Sequence, residues 1–176
     1  VQADAIGAGS ALFDGVDDTI TLGASDNFIT TPNVTYTCWL KAAADTSVAY
    51  VISNQKDEGS TNLSLVLHSN DGTPAAGYIT LVVWNDDGSA HTMVSYDGSL
   101  DDGNWHHISA TTTSSTQKIY INGILVTEES NTFDPADHSS AEMAIGSLNA
   151  SSYWFEGNIC QVGIWSAALT QAQVQS

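Results

Sequence analysis

Short runs of β-branched and aromatic residues recur along the chain, and polar clusters separate them. Residues 34–40 (VTYTCWL) alternate between faces in the way a half-buried strand does. Asn122-Gly123 is the preferred two-residue turn of a β-hairpin, and residues 85–88 (NDDG) indicate a second hairpin. The runs that predict strands are residues 11–13, 19–22, 34–40, 50–53, 63–67, 79–84, 90–96, 105–111, 118–121, 124–127, 143–146 and 159–165.

Helical periodicity is nearly missing from this pattern, because only residues 167–175 suit a helix, which would be short and C-terminal. About a dozen short strands without intervening helices predict an all-β fold built from two antiparallel sheets. No linker or fixed-period repeat interrupts the series. We therefore expect residues 1–176 to form a single β-sandwich domain.

The charge of the chain is strongly one-sided, with 20 acidic residues, 3 lysines and no arginine, for a net charge of −17. A nucleic-acid-binding protein needs a basic surface, which this composition excludes. Anionic membranes and polyuronate substrates are disfavoured for the same reason. No apolar run approaches the roughly 18 residues of a transmembrane helix. Hydrophobic residues still make up 42% of the chain, enough for a packed core.

The composition also suggests where the protein works. The chain begins Val1-Gln2-Ala3 without a leader sequence, which indicates a processed or excised domain. Its acidity favours an extracellular or surface-associated setting, including a virion surface or salty marine water. Cys38 and Cys160 are too few for a disulfide scaffold and lack zinc-site spacing. Both are expected to point into the core, and whether they are bonded stays open.

Four segments in order resemble the laminin-G-like and concanavalin A-like jelly rolls, a pattern shared with the pentraxins. They are residues 11–18 (ALFDGVDD), 102–108 (DGNWHHI), 119–123 (IYING) and 155–170 (FEGNICQVGIWSAALT). The resemblance implies a two-sheet jelly-roll sandwich. It does not by itself imply a function, because this fold hosts lectins, enzymes, adhesion modules and spacers.

The sequence shows little evidence of a catalytic site. The related glucanases carry E-x-D-x-x-E on one strand, and no glutamate here has that spacing. His106 and His107 are adjacent in a predicted strand and should face opposite sides. We therefore expect a non-catalytic protein, with an inverting pair of aspartates from separate loops as the open alternative.

Calcium is the metal that the resemblance implies, because laminin-G-like domains and pentraxins often bind it at the sandwich rim. The matching loops are residues 54–62 and 147–152, in which Asp57, Asn62 and Asn149 offer oxygen ligands. Ser60-Thr61 stand where pentraxins carry Asp-Asn, so a two-calcium pentraxin site is not expected.

A denser group of carboxylates lies near the N-terminus, and it consists of Asp14, Asp17 and Asp18. Three carboxylates within five residues suit a structural calcium ion. The alternative is a solvated turn in which the aspartates accept hydrogen bonds from their own backbone.

Aromatic side chains outside the family pattern are the candidates for stacking on sugar rings. Tyr153 and Trp154 follow Asn149 in a loop rich in serine, and Trp84 precedes the NDDG turn. Trp154 as a lid over the sandwich edge is the structural alternative. His91 and Tyr96, on the strand facing Trp84, are candidates to extend its surface. The tryptophans that match the family pattern are expected to be core or sheet-packing residues: Trp39, Trp105 and Trp165.

These observations predict a non-catalytic, lectin-like carbohydrate-binding module, assisted by calcium, with a neutral glycan or a surface protein as its partner. The predicted ligand-binding residues are Trp154, Tyr153, Asn149, Trp84 and Asn62, and the predicted metal ligands are Asp14, Asp17, Asp18 and Asp57. A structural, adhesion or virion-decoration domain is the alternative, followed by a glycoside hydrolase. The sequence makes no prediction of the oligomeric state.

Overall fold

The computed structural model describes residues 9–44, 48–54, 63–67, 77–85, 89–134, 142–148, 150 and 152–175. Within these ranges the chain forms twelve strands, one 3-10 turn (Ser25–Asn27) and one α-helix, α1 (Gln171–Val174). The strands are β1 (Ala11–Asp14), β2 (Ile20–Ala24), β3 (Val34–Ala42), β4 (Ala49–Ser53), β5 (Leu63–Leu67), β6 (Tyr78–Trp84), β7 (His91–Asp97), β8 (His106–Thr112), β9 (Thr116–Ile121), β10 (Ile124–Ser130), β11 (Glu142–Ile145) and β12 (Glu156–Trp165).

The strands form two antiparallel sheets of six strands each. Sheet I has the order β1-β12-β3-β8-β9-β10, and sheet II has the order β2-β11-β4-β5-β6-β7. The turn at residues 15–19 crosses from one sheet to the other, because it joins β1 to β2. This architecture confirms the predicted all-β jelly-roll sandwich and its single short helix. The described helices are all too short to span a membrane.

The core lies between the two sheets and follows from the alternation seen in the sequence. In β3, Tyr36, Cys38 and Leu40 are each 0% exposed, while the residues between them face away from the core. The rings of Phe13 and Phe155 meet edge to face, with centroids 6.0 Å apart. Burial of such side chains from both sheets is the main force that holds the sandwich together.

The predicted hairpin at Asn122-Gly123 is confirmed. Asn122 and Gly123 have φ values of 50° and 77°, and the two-residue turn that matches strand twist needs φ above zero at both positions. The Asn122 side-chain oxygen also accepts a hydrogen bond from the His107 backbone N–H at 2.9 Å. This bond fixes the turn against β8.

The prediction that both cysteines point inward is wrong for Cys160. Cys160 pairs with Trp39, whereas Gly163 pairs with Thr37, so a bulge in β12 shifts the register between them. Directly opposed residues share a face, and Cys160 therefore lies beside Trp39 on the outer face of sheet I. Cys38 faces the core, where burial and, to a smaller extent, the neighbouring Cys160 raise its pKa to about 12. The two cysteines are not joined by a disulfide bond.

The C-terminal segment crosses the outer face of sheet I. Thr35 donates a hydrogen bond to the Ala167 carbonyl at 2.7 Å and accepts one from the Leu169 N–H at 3.0 Å. Further along, the Gln175 side chain donates to the Gly123 carbonyl at 2.8 Å. The segment is thus fastened at both ends of its path, and Thr35 beneath it is fully buried.

Candidate functional site

The connection between β11 and β12, residues 146–155, contains the main binding candidates from the sequence. It begins at Gly146, whose φ is +85° and where a Cβ atom would overlap the ring of Phe13. The Gly146 N–H donates to the Val51 carbonyl at 3.1 Å, and the Phe155 N–H donates to the Gly146 carbonyl at 2.8 Å. Both ends of the connection are therefore held against the core and β4.

Hydrogen bonds tie the described residues of this connection to sheet II. Leu148 and Ser152 exchange backbone hydrogen bonds of 2.8 and 3.3 Å. The Ser53 hydroxyl, on the outer face of sheet II, donates to the Ser147 carbonyl at 2.8 Å. The Ser147 hydroxyl lies 2.8 Å from that of Thr19, the last residue of the turn joining the sheets. The connection thus folds over the outer face of sheet II beside β4.

Tyr153 presents its ring to solvent from this connection. Its side chain is 48% exposed, and its ring centroid lies 5.7 Å from that of Tyr50, at an interplanar angle of 45°. The Tyr50 N–H donates to the Tyr153 carbonyl at 3.0 Å, so the contact between the two residues involves both backbone and side chains. We call Tyr50 and Tyr153 the tyrosine pair.

The backbone and electrostatics of the tyrosine pair are both unusual. Tyr153 has a φ of +52°, a left-handed conformation that is uncommon for a bulky side chain and often marks functional positions. Burial, and then the nearby Tyr153, raise the pKa of Tyr50 above its ordinary value. The Tyr50 hydroxyl therefore stays neutral over the physiological pH range and keeps its proton as a hydrogen-bond donor.

Trp154, the next residue, is partly buried, which distinguishes it from the exposed Tyr153. Asn149 lies outside the described residues, as do Asn62 and Asp57 from the other predicted loop. Tyr50 is a contributor that sequence reasoning missed. Its strand was predicted, but no sequence signal shows that β4 pairs with a loop about one hundred residues further along the chain.

Trp84 and His91 form a second aromatic contact on the outer face of sheet II. They face each other across β6 and β7, with ring centroids 4.3 Å apart and an interplanar angle of 41°. His91 is exposed and Trp84 is partly buried. We call them the tryptophan–histidine pair. The expectation that Tyr96 extends this surface is wrong, because Tyr96 pairs with Ile79 on the core side.

The three aspartates of the turn between β1 and β2 come together as expected. Asp14, Asp17 and Asp18 each offer a carboxylate oxygen, and these oxygens lie within 4.8 Å of one another. Such a set fits the hard oxygen ligands of calcium. The hydrogen-bonded turn, which was the alternative to a calcium site, is also present. Asp14 accepts a hydrogen bond from the Val16 N–H at 2.9 Å, and Asp18 accepts one from the Asp14 N–H at 2.9 Å. These bonds leave lone pairs on every carboxylate.

The two adjacent histidines lie on opposite faces, as predicted. His106 pairs with the core residue Leu40, and His107 pairs with the outward-facing Trp39. The His106 Nε2 atom lies 3.0 Å from a carboxylate oxygen of Asp102. Hydrogen bonds from Asn104 and then from His106 lower the Asp102 pKa to about 2. This pairing fastens the connection between β7 and β8.

The tryptophans of the family pattern were expected to be core or sheet-packing residues. Trp39 lies on the outer face of sheet I, where its ring centroid is 5.2 Å from that of His107. Trp165 pairs with Thr35 on the same face and is 49% exposed. Both are therefore sheet-face residues rather than core residues, and Trp165 is well exposed.

A laminin G family model, described as the concanavalin A-like lectin/glucanases superfamily, matches residues 14–175. The chain belongs to this superfamily. The membership confirms the resemblance read from the four sequence segments. No curated protein sequence matches the chain.

Solved structures of the superfamily fold are similar over nearly the whole chain. Domain 4 of the extracellular arabinanase AbnA from Geobacillus stearothermophilus, in complex with arabinotriose, has a TM-score of 0.75 and 24% identity, over 98% of this chain and 78% of that one. A heptameric SAP-like pentraxin from Limulus polyphemus has a TM-score of 0.61 and 18% identity, over 93% and 78% of the two chains.

The receptor-binding domain of a botulinum neurotoxin, mosaic serotype C/D, is a third similar structure. Its TM-score is 0.70 with 16% identity, over 99% of this chain and 42% of that one. The present chain thus spans less than half of the neurotoxin domain. At these identities the three likenesses establish a shared fold.

Proposed function

We propose that the protein is a non-catalytic glycan-binding module, secreted or displayed on a surface. The tyrosine pair is the observation that carries the proposal. Tyr153 holds a ring that is 48% exposed, and the tilted ring contact with Tyr50 and the backbone hydrogen bond between the two residues hold that ring in place. A ring already held in its binding orientation loses little conformational entropy when a ligand arrives.

The chemistry of this site suits a neutral sugar. An aromatic face packs against the apolar C–H face of a sugar ring, while the phenolic hydroxyl donates or accepts a hydrogen bond. The net charge of −17 repels acidic ligands, since positive side chains are nearly missing from the sequence. A neutral glycan therefore matches the site better than a uronate, a sulfated sugar or a phosphorylated ligand.

Two of the similar structures support a recognition role. Domain 4 of the arabinanase was solved in complex with arabinotriose, which supports a sugar as the ligand here. The neurotoxin segment belongs to a receptor-binding domain, which supports a surface partner. Neither likeness identifies the sugar.

Calcium assists the proposed site from a distance. An ion held by Asp14, Asp17 and Asp18 would stiffen the turn that continues into Thr19. Thr19 contacts Ser147, whose carbonyl oxygen accepts the hydrogen bond from Ser53. The ion would therefore stabilise the connection that carries Tyr153, without itself touching the sugar.

The test is a glycan array, with and without calcium, followed by calorimetric titration of the strongest neutral ligand. We expect Tyr153→Ala to weaken binding at least about tenfold, as for a central aromatic contact, while Tyr153→Phe keeps most of the affinity. Trp165→Ala is the matched control, because Trp165 is equally exposed at 49% but lies on the other sheet.

The alternative is a structural or adhesion domain. It is favoured by the number of bonds that fasten the β11–β12 connection to sheet II, since a purely structural rim needs the same bonds. In that case the wild-type protein binds no glycan on the array, and the proposed function is wrong. Equal affinities of the Tyr153→Ala and wild-type proteins would overturn the assigned site.

A further inference from the structure

The two aromatic pairs lie on the same face of sheet II but in different places. Tyr50 pairs with Val66, which in turn pairs with Thr80, and Trp84 lies four residues beyond Thr80 along β6. Four residues of strand extend about 13 Å, and two strand spacings add about 10 Å at right angles. The tyrosine pair and the tryptophan–histidine pair are therefore about 16 Å apart across the outer face.

The side chains between the two pairs are small and buried. Ser64, Val66 and Thr80 point away from the core, yet their exposed fractions are 1%, 2% and 0%. The Thr80 hydroxyl is already hydrogen-bonded to that of Ser95 at 2.8 Å. The middle of the face is covered, and the described strand residues that keep partly exposed aromatic rings on this face are Tyr50, Trp84, His91 and Tyr78, of which Tyr78 lies at the opposite end of β6 from Trp84.

Resting on the proposed glycan function, we propose that the two pairs are the two ends of one extended site for a linear oligosaccharide or polysaccharide. A single sugar contacts one pair only. A chain long enough to span the distance contacts both, and its second contact forms at the high effective concentration set by the first. The ligand class is thus an internal stretch of a neutral glycan chain, rather than a terminal sugar.

Residue chemistry at the second end agrees with this assignment. Trp84 and His91 place an indole ring beside an exposed imidazole that both donates and accepts hydrogen bonds when neutral. The hairpin that carries them is closed by two hydrogen bonds between Asn85 and Ala90, of 2.9 and 3.0 Å. These bonds join the ends of β6 and β7 and so keep Trp84 and His91 opposite each other.

The test is calorimetric titration with neutral arabino-, xylo- and gluco-oligosaccharides, from a single sugar to about eight units. For the series that binds, we expect affinity to rise about tenfold or more once the chain spans about 16 Å. Trp84→Ala should remove this rise, so that long chains bind no more tightly than short ones. His91→Ala should reduce the same rise in affinity. Because His91 is exposed, this change tests the second pair even if Trp84→Ala does not fold. Trp165→Ala should behave as wild type.

The outcomes separate the two proposals. The extended site is wrong if affinity does not depend on chain length. It is also wrong if the rise in affinity is unchanged in both Trp84→Ala and His91→Ala. In either case the tyrosine pair keeps its proposed role. Two short ligands bound per protein without any gain for longer chains overturns it as well, because the pairs are then independent sites. If no series binds, the proposed glycan function itself is wrong. If Tyr153→Ala binds every length as wild type does, the protein binds glycans but not at the tyrosine pair.

Discussion

The outer faces of the two sheets are covered in opposite ways. On sheet I, the chain's own C-terminal segment crosses the face, bonded at Thr35 and at Gly123. On sheet II, the β11–β12 connection folds over the β4 edge and leaves Tyr153 exposed beside Tyr50. The segment on sheet I buries Val174 and leaves Trp165 exposed, whereas the connection on sheet II leaves Tyr153 exposed in contact with a second aromatic ring.

Under the proposed function, this difference separates a structural surface from a binding surface in one small domain. A face whose polar groups are bonded to the chain itself has little left to offer a ligand. A face with rigidly held, partly exposed aromatic rings retains both apolar area and hydrogen-bonding groups. Changes on sheet I should therefore affect stability alone, whereas changes around the sheet II connection should affect stability and binding together.

The largest effect is expected at Gly146, where the sheet II connection begins. Gly146→Ala places a methyl group into the ring of Phe13 at a φ of +85°, and we expect a loss of about 3 kcal/mol in unfolding free energy together with loss of glycan binding. Gly103→Ala is the matched control, because its φ is +73° but no atom lies within 4 Å of the added methyl group. Urea denaturation should show a loss of about 1 kcal/mol there. Equal losses in both variants would mean that the Phe13 contact does not position the connection.

A second pair of changes compares the faces directly. Thr35→Val keeps the side-chain shape but removes the bonds to Ala167 and Leu169, and should cost about 2 kcal/mol without changing glycan affinity. Ser53→Ala removes the bond to Ser147, and should cost about 1 kcal/mol while also weakening glycan binding. Denaturation and titration of the same two samples provide the comparison. Weakened glycan binding in Thr35→Val would contradict the proposal that only the outer face of sheet II takes part in binding.

The smallest effect concerns the aspartate turn that joins the sheets. Calcium at about five times its dissociation constant should raise the unfolding free energy by about 1 kcal/mol, since an ion bound only by the folded state stabilises that state. Asp17→Asn should abolish the shift, and Asp26→Asn, at an exposed position in the 3-10 turn, should leave it intact. Magnesium should act more weakly because it gives up its water reluctantly. A thermal unfolding scan that does not respond to calcium would contradict the proposed calcium site. The three aspartates would then serve only the hydrogen bonds of the turn.

Much of the fold was predictable from local patterns. The Asn122-Gly123 hairpin, the alternation in β3 and the opposite facing of His106 and His107 depend on neighbouring residues alone. The candidate site was predictable only in part. Tyr153 and Trp84 were identified as residues without a counterpart in the family pattern, but their partners Tyr50 and His91 become definite only through strand pairing.

The wrong prediction for Cys160 has a specific physical cause. A side-chain face in a strand is a matter of parity, and one extra residue reverses it. The bulge between Cys160 and Gly163 supplies that residue, and Gln161 in the bulge has a φ of +49°. No local sequence signal marks this position, because the bulge depends on how β12 pairs with β3.

The amino-acid sequence alone determined the class of the fold, the family, the exclusion of nucleic acid as a partner and the position of the carboxylates in turns. These properties depend on composition and on periodicity, both of which act over a few residues. The tertiary structure alone decided which outer face the C-terminal segment crosses and which tyrosine supports Tyr153. It also placed the two aromatic pairs on one side of the molecule. Those relations join residues far apart in the chain, and only the pairing of strands and the packing of loops bring them together.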